Sequence, residues 1–194
     1  MIKIAIFASG SGTNAENIIH YFSDSREIKI SLILSNNPAA YVLERAKNNK
    51  ISSYIFNRKE FYETEMVIEQ LKEYEIDFIV LAGFMWMVPL NILKEYPNKI
   101  LNIHPALLPK FGGKGMYGDN VHKAVVEAKE EYSGITIHYV NEKYDEGEII
   151  YQAKCIVEEG DTPECLAKKV HYLEYEHYPN IIKEVLLTGK REQK

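Results

Sequence analysis

Short β-branched runs alternate with longer stretches of helical spacing along most of this chain, and few folds accept such an alternation. Strand candidates are Ile2 to Ala8, Ile28 to Leu34, Ser53 to Phe56, Phe78 to Ala82 and Lys99 to Ile103, then Gly134 to Val140 and Glu148 to Val157. Helical spacing fits Asn14 to Phe22, Ala40 to Asn49, Lys59 to Glu75, Val121 to Glu130 and about Thr162 to Thr188. Strands separated by helices are the pattern of βαβ units, which build a parallel sheet. Ile2 to Phe7 and Phe78 to Ala82 are nearly continuous apolar runs, as expected of strands covered on both faces. The last two strands are joined by Asn141 to Gly147, too short for a helical crossover, so they are expected to pair antiparallel at one edge. The expected fold class is therefore α/β: a Rossmann-like open, mostly parallel sheet of about seven strands with an antiparallel edge and helices on both faces. Thr162 and Pro163 form a good helix start, and Gly189 is expected to stop the last helix.

At 194 residues, 46% of them hydrophobic, the chain can bury an ample core without disulfides or a structural metal. Its net charge of −5 argues against a nucleic-acid partner, and the dense basic cluster Lys190, Arg191 and Lys194 reads as a solvated tail. Cys155 and Cys165 are too few and too isolated for a disulfide framework or a four-ligand site. His20, His122, His138, His171 and His177 show no metal-binding spacing, so no metal is expected. The opening run Met1 to Phe7 meets Ser9-Gly10 at once, which reads as a buried strand rather than a signal peptide. With no long apolar run, a cytoplasmic protein is expected.

Open α/β sheets bind ligands beyond the carboxyl ends of their strands, so motifs there carry the most weight. After the first strand, Ser9-Gly10-Ser11-Gly12-Thr13-Asn14 runs straight into a helix. Glycines let the backbone approach an anion, and the free N–H groups of a helix start point at it. A tight turn with a capped helix is the plainer alternative. Ala15 stands where a dinucleotide fingerprint has its third glycine, and Ser35-Asn36-Asn37 offers no acidic residue for a ribose. A mononucleotide or sugar phosphate fits the loop better.

Leu101-Asn102-Ile103-His104-Pro105 closes the fifth strand. Asn102 and His104 lie two residues apart and so face the same way. An amide N–H can donate to an oxyanion developing on an attacked carbonyl, and an imidazole can move a proton in the same step. Alone, a histidine at a strand end is more often structural; the pairing with Asn102 and the position bring the two readings level. A carboxylate nearby would favour the imidazolium, and Asp145 is the candidate, although spacing does not bring it to His104. Glu142, Asp145, Glu146 and Glu148 otherwise read as a solvated acidic loop. No nucleophile elbow is present, which disfavours a serine hydrolase.

The run Leu101 to Phe111 closely resembles the signature of the folate-dependent formyltransferases. Matching segments are Ser9 to Asn14, Val80 to Met85, Ile135 to Val140 with Asp145, Ile149 to Lys154 and, more weakly, Glu174 to Pro179. Together they span almost the whole chain in the family's order. The resemblance implies one formyltransferase domain over 1–194, with a phosphate-binding half of about 1–98 and a folate-binding and catalytic half of about 99–189. It implies 10-formyltetrahydrofolate as co-substrate and phosphoribosylglycinamide as acceptor, in purine biosynthesis. Asn102, His104 and Asp145 become the catalytic set. Gly12, Thr13, Asn14 and Glu174 become the ribonucleotide-binding residues. Lys59, Met85, Trp86, Met87, Val88, Asn102, Asn141 and Tyr144 become folate-binding residues. Small molecules are the expected partners, with no nucleic acid or membrane, and the 14 tyrosines leave room for a homodimer patch.

The chain departs from the family in places. Ala106 stands for a usual Ser, and Trp86 for a common Arg, which removes a basic side chain from the expected folate site. Phe111 to Gly118 replaces the commoner Tyr-Pro-Gly continuation, giving a glycine-rich loop that suggests a lid or a long surface turn. Two rival functions share parts of the pattern. A formyltetrahydrofolate hydrolase would use the same catalytic set with water as acceptor, but its family usually has a separate amino-terminal domain and a second His in place of Pro105. A non-catalytic nucleotide-binding module would explain Gly10 to Asn14 but leave Asn102, His104 and Asp145 without a purpose. Formyltransferases acting on methionyl-tRNA carry an extra carboxyl-terminal domain not expected here.

Overall fold

The computed structural model describes residues 1–188. Gly189 and the basic cluster Lys190, Arg191 and Lys194 lie outside the described residues. Strands are β1 (Ile2–Phe7), β2 (Ile28–Ser35), β3 (Ser52–Ile55), β4 (Phe78–Leu81), β5 (Ile100–His104), β6 (Tyr132–Tyr139) and β7 (Ile149–Ile156). Helices are α1 (Thr13–Tyr21), α2 (Val42–Asn48), α3 (Arg58–Tyr62), α4 (Met66–Glu73), α5 (Leu90–Glu95), α6 (Asp119–Glu127) and α7 (Pro163–Thr188). The strands form a seven-stranded sheet in the order β3-β2-β1-β4-β5-β6-β7. β1 pairs parallel with β2 and β4, β2 pairs parallel with β3, and β6 pairs antiparallel with β7. The mostly parallel sheet with an antiparallel edge is the fold class expected from the sequence.

The chain divides into two compact units, Met1–Leu101 and the part beginning at Asn102. In the first unit, strand order reverses between β1 and β4, so the ends of those two strands mark a switch point. Ile4, Ala5 and Ile6 of β1 are fully buried, along with Leu32, Ile33 and Leu34 of β2. α1 buries Ala15, Ile18 and Ile19, an i, i+3, i+4 face, and α2 buries Val42 and Ala46.

In the second unit, α7 presents a stripe of Leu166, Val170, Glu174, Tyr178, Ile181, Ile182 and Leu186, all buried. Glu174 is the one carboxylate in that apolar stripe. Asn180 Nδ2 donates to the Glu176 carbonyl, one turn back, in the stretch of α7 around Pro179, a residue with no backbone N–H to donate.

Two helical expectations need correction. The stretch Lys59 to Glu75 is not one helix but two, α3 and α4. The Thr64 hydroxyl donates to the Glu60 carbonyl at 2.9 Å and accepts from the Met66 N–H at 3.3 Å, so a side chain takes over backbone partners at the break. α5 has no counterpart in the expected elements. It is under two turns long, too short to show a period, and its signals were Pro89 before it and Asn91, whose side chain accepts from the Ile92 N–H.

Candidate functional site

In the first unit, the loop after β1 is built into its surroundings by backbone bonds. Gly12 stands just before α1 with φ 72°, a left-handed conformation that suits glycine. A Cβ there would lie 2.4 Å from the Val42 side chain. The Gly10 carbonyl accepts from the Val42 N–H at 3.2 Å, and the Ser11 carbonyl from Arg45 Nε at 2.8 Å. Arg45 also pairs with Glu16 in the first turn of α1. Ser9 joins this loop to the one after β4: its N–H donates to the Gly83 carbonyl, and its hydroxyl accepts from the Met85 N–H at 3.0 Å. Thr13 and Asn14 open α1, half-buried, at the end where the first N–H groups have no acceptor inside the helix itself.

Beyond β4, Met85 and Met87 are exposed, Trp86 is half-buried and Val88 is buried. Trp86 faces the aromatic rings of Phe56, Phe61, Tyr62 and Phe84. The Arg58 guanidinium sits over both Tyr62 and Trp86, 5.0 and 5.8 Å from the ring centres. The Tyr62 hydroxyl donates to the Met87 carbonyl, tying the segment to α3. Lys59 lies exposed on that same helix.

In the second unit, polar groups converge under burial. His104, at the end of β5, is 3% exposed. Its Nδ1 lies 3.5 Å from Asp145 Oδ2, and its Nε2 donates to the Phe111 carbonyl at 2.8 Å. Burial pushes the imidazole below its ordinary value, while the Asp145 carboxylate and the Phe111 carbonyl oppose that push. The expectation that Asp145 would leave His104 charged therefore meets a competing desolvation term, and desolvation prevails.

Asp145 is raised by burial but ends below the ordinary carboxylate range, because His138, His104 and the Gly113 N–H all favour the anion. The Gly113 N–H reaches Asp145 Oδ2 at 2.9 Å. Gly112 makes room for this approach, since a Cβ there would sit 3.2 Å from Asp145 Cβ and 2.6 Å from Leu108. Both loops that meet at the pair pass through the left-handed region. Phe111 has φ 56° and Asp145 φ 53°, and for a residue as bulky as Phe that region is a true outlier.

Asn102, two residues before His104, donates from Nδ2 to His138 Nε2 at 3.1 Å. His138 was part of the matching run but had no role in the sequence-based set. Its signal was available, because Thr136 and His138 repeat on β6 the same two-residue spacing that Asn102 and His104 show on β5. Thr136, fully buried, donates to the Ala106 carbonyl and accepts from the Leu108 N–H and from Gln152 Nε2. Gln152 also donates to the Leu108 carbonyl. These bonds pin the turn after His104, whose Leu108-Pro109 peptide is cis.

The remaining expected residues are scattered more widely in the unit. Glu174 is buried and accepts from His171 Nδ1 at 2.8 Å, which raises the His171 imidazole. His122 on α6 is lowered by burial and then by the charge of His171. Glu174 also acts electrostatically on His104. Asn141 is exposed and closes its own loop, donating to the Glu146 carbonyl and accepting from the Lys143 N–H. Tyr144 is exposed beside Asp145. Among the described residues no group of three His, Cys, Asp or Glu side chains could hold a metal ion, and no helix is long and apolar enough to cross a membrane.

Residues 2–182 match the model of the formyl transferase family. A phosphoribosylglycinamide formyltransferase of Bacillus subtilis is 37% identical over the full length of both chains. The chloroplastic protein of that name from Arabidopsis thaliana is 40% identical over 93% of this chain, which spans 64% of that longer relative. The crystal structure of the Bacillus halodurans protein of that name is 38% identical, with a TM-score of 0.85 over 95% of each chain. A match of that extent makes this chain a member of the formyl transferase family of enzymes.

Proposed function

We propose that this enzyme transfers the formyl group of 10-formyltetrahydrofolate to the amine of phosphoribosylglycinamide, a step of purine biosynthesis in the cytoplasm. The observation that carries the proposal is the buried His104–Asp145 pair with Asn102 on the same face of β5. Such a set suits addition to a carbonyl, where an amide N–H and an imidazolium stabilise negative charge on oxygen. Similarity to proteins named for this reaction, over the whole length of one of them, supports the choice of acceptor.

The amine nitrogen of the acceptor attacks the formyl carbon, and the C=O π electrons move onto oxygen. Asn102 Nδ2 and His104 Nε2 donate to that oxyanion. Asp145 offsets the imidazolium charge and accepts a proton from the attacking nitrogen, directly or through water. The intermediate then collapses: the C=O re-forms, the bond to N10 of the folate breaks, and N10 takes the proton. No covalent bond to the enzyme and no metal is required. Burial favours the neutral imidazole, and the oxyanion opposes that push as it develops, raising the ring's hold on its proton at the point where the charge forms.

His104 Nε2 already has an acceptor, the Phe111 carbonyl at 2.8 Å. The formyl oxygen must take that acceptor's place, so the strained Phe111 peptide has to turn or move during the catalytic cycle. The glycine-rich stretch that follows supplies the freedom. Gly12, Thr13 and Asn14 bind the ribonucleotide phosphate, and Glu174 receives the glycinamide end. Lys59, the segment Met85 to Val88, Asn141 and Tyr144 serve the folate. The domain spans 1–194, with a phosphate-binding part of about 1–98 and a folate-binding and catalytic part of about 99–189.

The test is a spectroscopic turnover assay with 10-formyltetrahydrofolate, with and without phosphoribosylglycinamide. Folate release that depends on the ribonucleotide is the expected result. Release without it would identify a hydrolase instead, and release in neither case would leave the proposal without support.

A further inference from the structure

A primary amide has two ends, and only one can donate to an oxyanion. If the Asn102 side chain were turned over, Oδ1 would face the developing negative charge and oppose it. The proposed chemistry therefore requires something to hold the amide one way round, and β6 offers a candidate. His138 is 2% exposed, and both of its ring nitrogens are engaged. Its Nδ1 is 2.8 Å from the Tyr139 carbonyl, and its Nε2 is 3.1 Å from Asn102 Nδ2.

A carbonyl can only accept, so Nδ1 must carry the hydrogen. In a neutral ring Nε2 is then a lone-pair acceptor, and an acceptor demands the NH2 end of Asn102. We propose that His138 is a positioning residue: its Nδ1–H tautomer, imposed by the Tyr139 carbonyl, locks the Asn102 amide so that its second N–H stays free for the oxyanion. This rests on the proposed reaction and adds a residue to it.

The surrounding backbone is built for that tautomer. The β6–β7 register shifts between Ile137 and His138, with Ile150 of β7 left over opposite the His138 position. Extra residues of this kind, β-bulges, re-aim side chains beside active sites. Gly147 passes so close to Tyr139 that a Cβ would lie 1.6 Å from the Tyr139 oxygen and 3.3 Å from His138 Nδ1. The Tyr139 N–H is itself held by the Glu148 carbonyl at 2.9 Å. The Tyr139 peptide is thus held from the β7 side.

The opposing arrangement is specific. Asp145 Oδ1 stands 3.7 Å from His138 Nε2, too far for a hydrogen bond but close enough to attract a proton. A doubly protonated His138 has no lone pair on Nε2: its Nε2–H would either turn to Asp145 and release Asn102 or make Asn102 present its oxygen. Only the neutral Nδ1–H tautomer selects the NH2 end of Asn102.

Long-range 1H–15N correlation on protein labelled at histidine ring nitrogens separates the two without any variant. The expected result at pH 7.5 is an Nδ1–H tautomer for His138, with Nε2 at the position of an unprotonated nitrogen. An Nε2–H tautomer or an imidazolium overturns the proposal. Kinetics supply the second readout. His138→Ala is expected to lower kcat by up to the roughly 10²-fold that the loss of one oxyanion donor costs, with both KM values within about twofold of wild type, as for an interaction made only in the transition state. His138→Gln, whose amide oxygen can accept from Asn102, recovers part of that loss. In an Asn102→Ala background, His138→Ala adds nothing, and a full additive loss overturns the proposal. Wild-type turnover is measured alongside. Absence of transfer there defeats the proposed reaction, while the tautomer readout still decides the role of His138.

Discussion

Gly12 in the first unit and His104 in the second lie in matching segments, yet their surroundings differ in kind. Gly12 has two reasons to be glycine that involve no ligand: a left-handed φ of 72° and Val42 pressed against the place of its missing Cβ. Two carbonyls of the loop around it accept from the fold itself, Gly10 from the Val42 N–H and Ser11 from the Arg45 side chain. His104 lies among features that destabilise the fold. A buried imidazole faces a half-buried carboxylate, and Phe111 holds a left-handed backbone, unusual for so bulky a residue, where its carbonyl meets the ring. Folding alone accounts for the first motif and does not account for the second. Strain and desolvation gathered at one point therefore say more about chemistry than a glycine pattern does.

The strongest way to break this contrast is to remove the charge of Asp145 without removing its volume. Asp145→Asn is expected to reduce turnover by about 10²–10⁴-fold, the range for losing a general acid–base group, with circular dichroism unchanged and a lowered Tm, because the depressed carboxyl also contributes stability. His104→Ala should give a loss of the same order. A variant with normal turnover and a lowered Tm would make the pair a structural ion pair and erase the distinction from the glycine loop.

The glycine side has the next largest effect, and it is one of stability. Gly12→Ala adds a Cβ into Val42 at a positive φ, and overpacking of that kind costs about 1–3 kcal/mol. Adding Val42→Ala relieves the contact but not the backbone strain, so denaturant midpoints should recover in part. Full recovery would show that φ is not a constraint at this position. No recovery would show that contact with Val42 is not the cause.

A smaller effect follows from the depressed imidazole of His104. Its folded value lies below that of the unfolded chain, so on acidification the unfolded state takes the proton first. Stability is then lost as pH falls below about 6.5, the unfolded value. Asp145 has the same sign at lower pH, because its depressed carboxyl contributes stability that is lost as pH falls through its folded value. His122 acts like His104, and His171, raised by Glu174, acts in the opposite sense. Comparing urea midpoints at pH 7 and 5.5 for wild type and His104→Gln cancels those two. The variant is expected to lose less stability over that interval.

What could be read in the sequence divides along similar physical lines. Period-two and period-3.6 apolar patterns report burial, so the strands and the long helices were legible, including the antiparallel pairing forced by the short Asn141 to Gly147 connection. The break at Thr64 was not, because it depends on one hydroxyl exchanging backbone partners. Asn102 and His104 were legible as a same-face pair. The meeting of His104 with Asp145 was not, since it needs a loop some forty residues away to reach a left-handed turn over Gly112. His138 escaped for another reason. Its importance lies in a tautomer, and a tautomer is set by the backbone carbonyl of Tyr139, which no residue type announces.

Trp86 gives the finest adjustment to the contrast, because it lies in the first unit but is proposed to meet a ligand. It departs from the arginine common in the family, yet a guanidinium is still close by: Arg58 lies over its ring and that of Tyr62. The aromatic pair holds the cation in place of a side chain on the segment itself. Arg58→Ala is expected to cost only about 0.5–1 kcal/mol of stability, as for cation–π contacts at exposed sites. If this cation serves the folate, the same variant raises the folate KM severalfold with kcat unchanged, since binding would be lost equally from ground and transition states. Arg58→Lys, which keeps the charge but not the planar stacking, should fall between the two. A KM unmoved by either change would leave Arg58 and Trp86 explained by packing alone, on the same footing as Gly12.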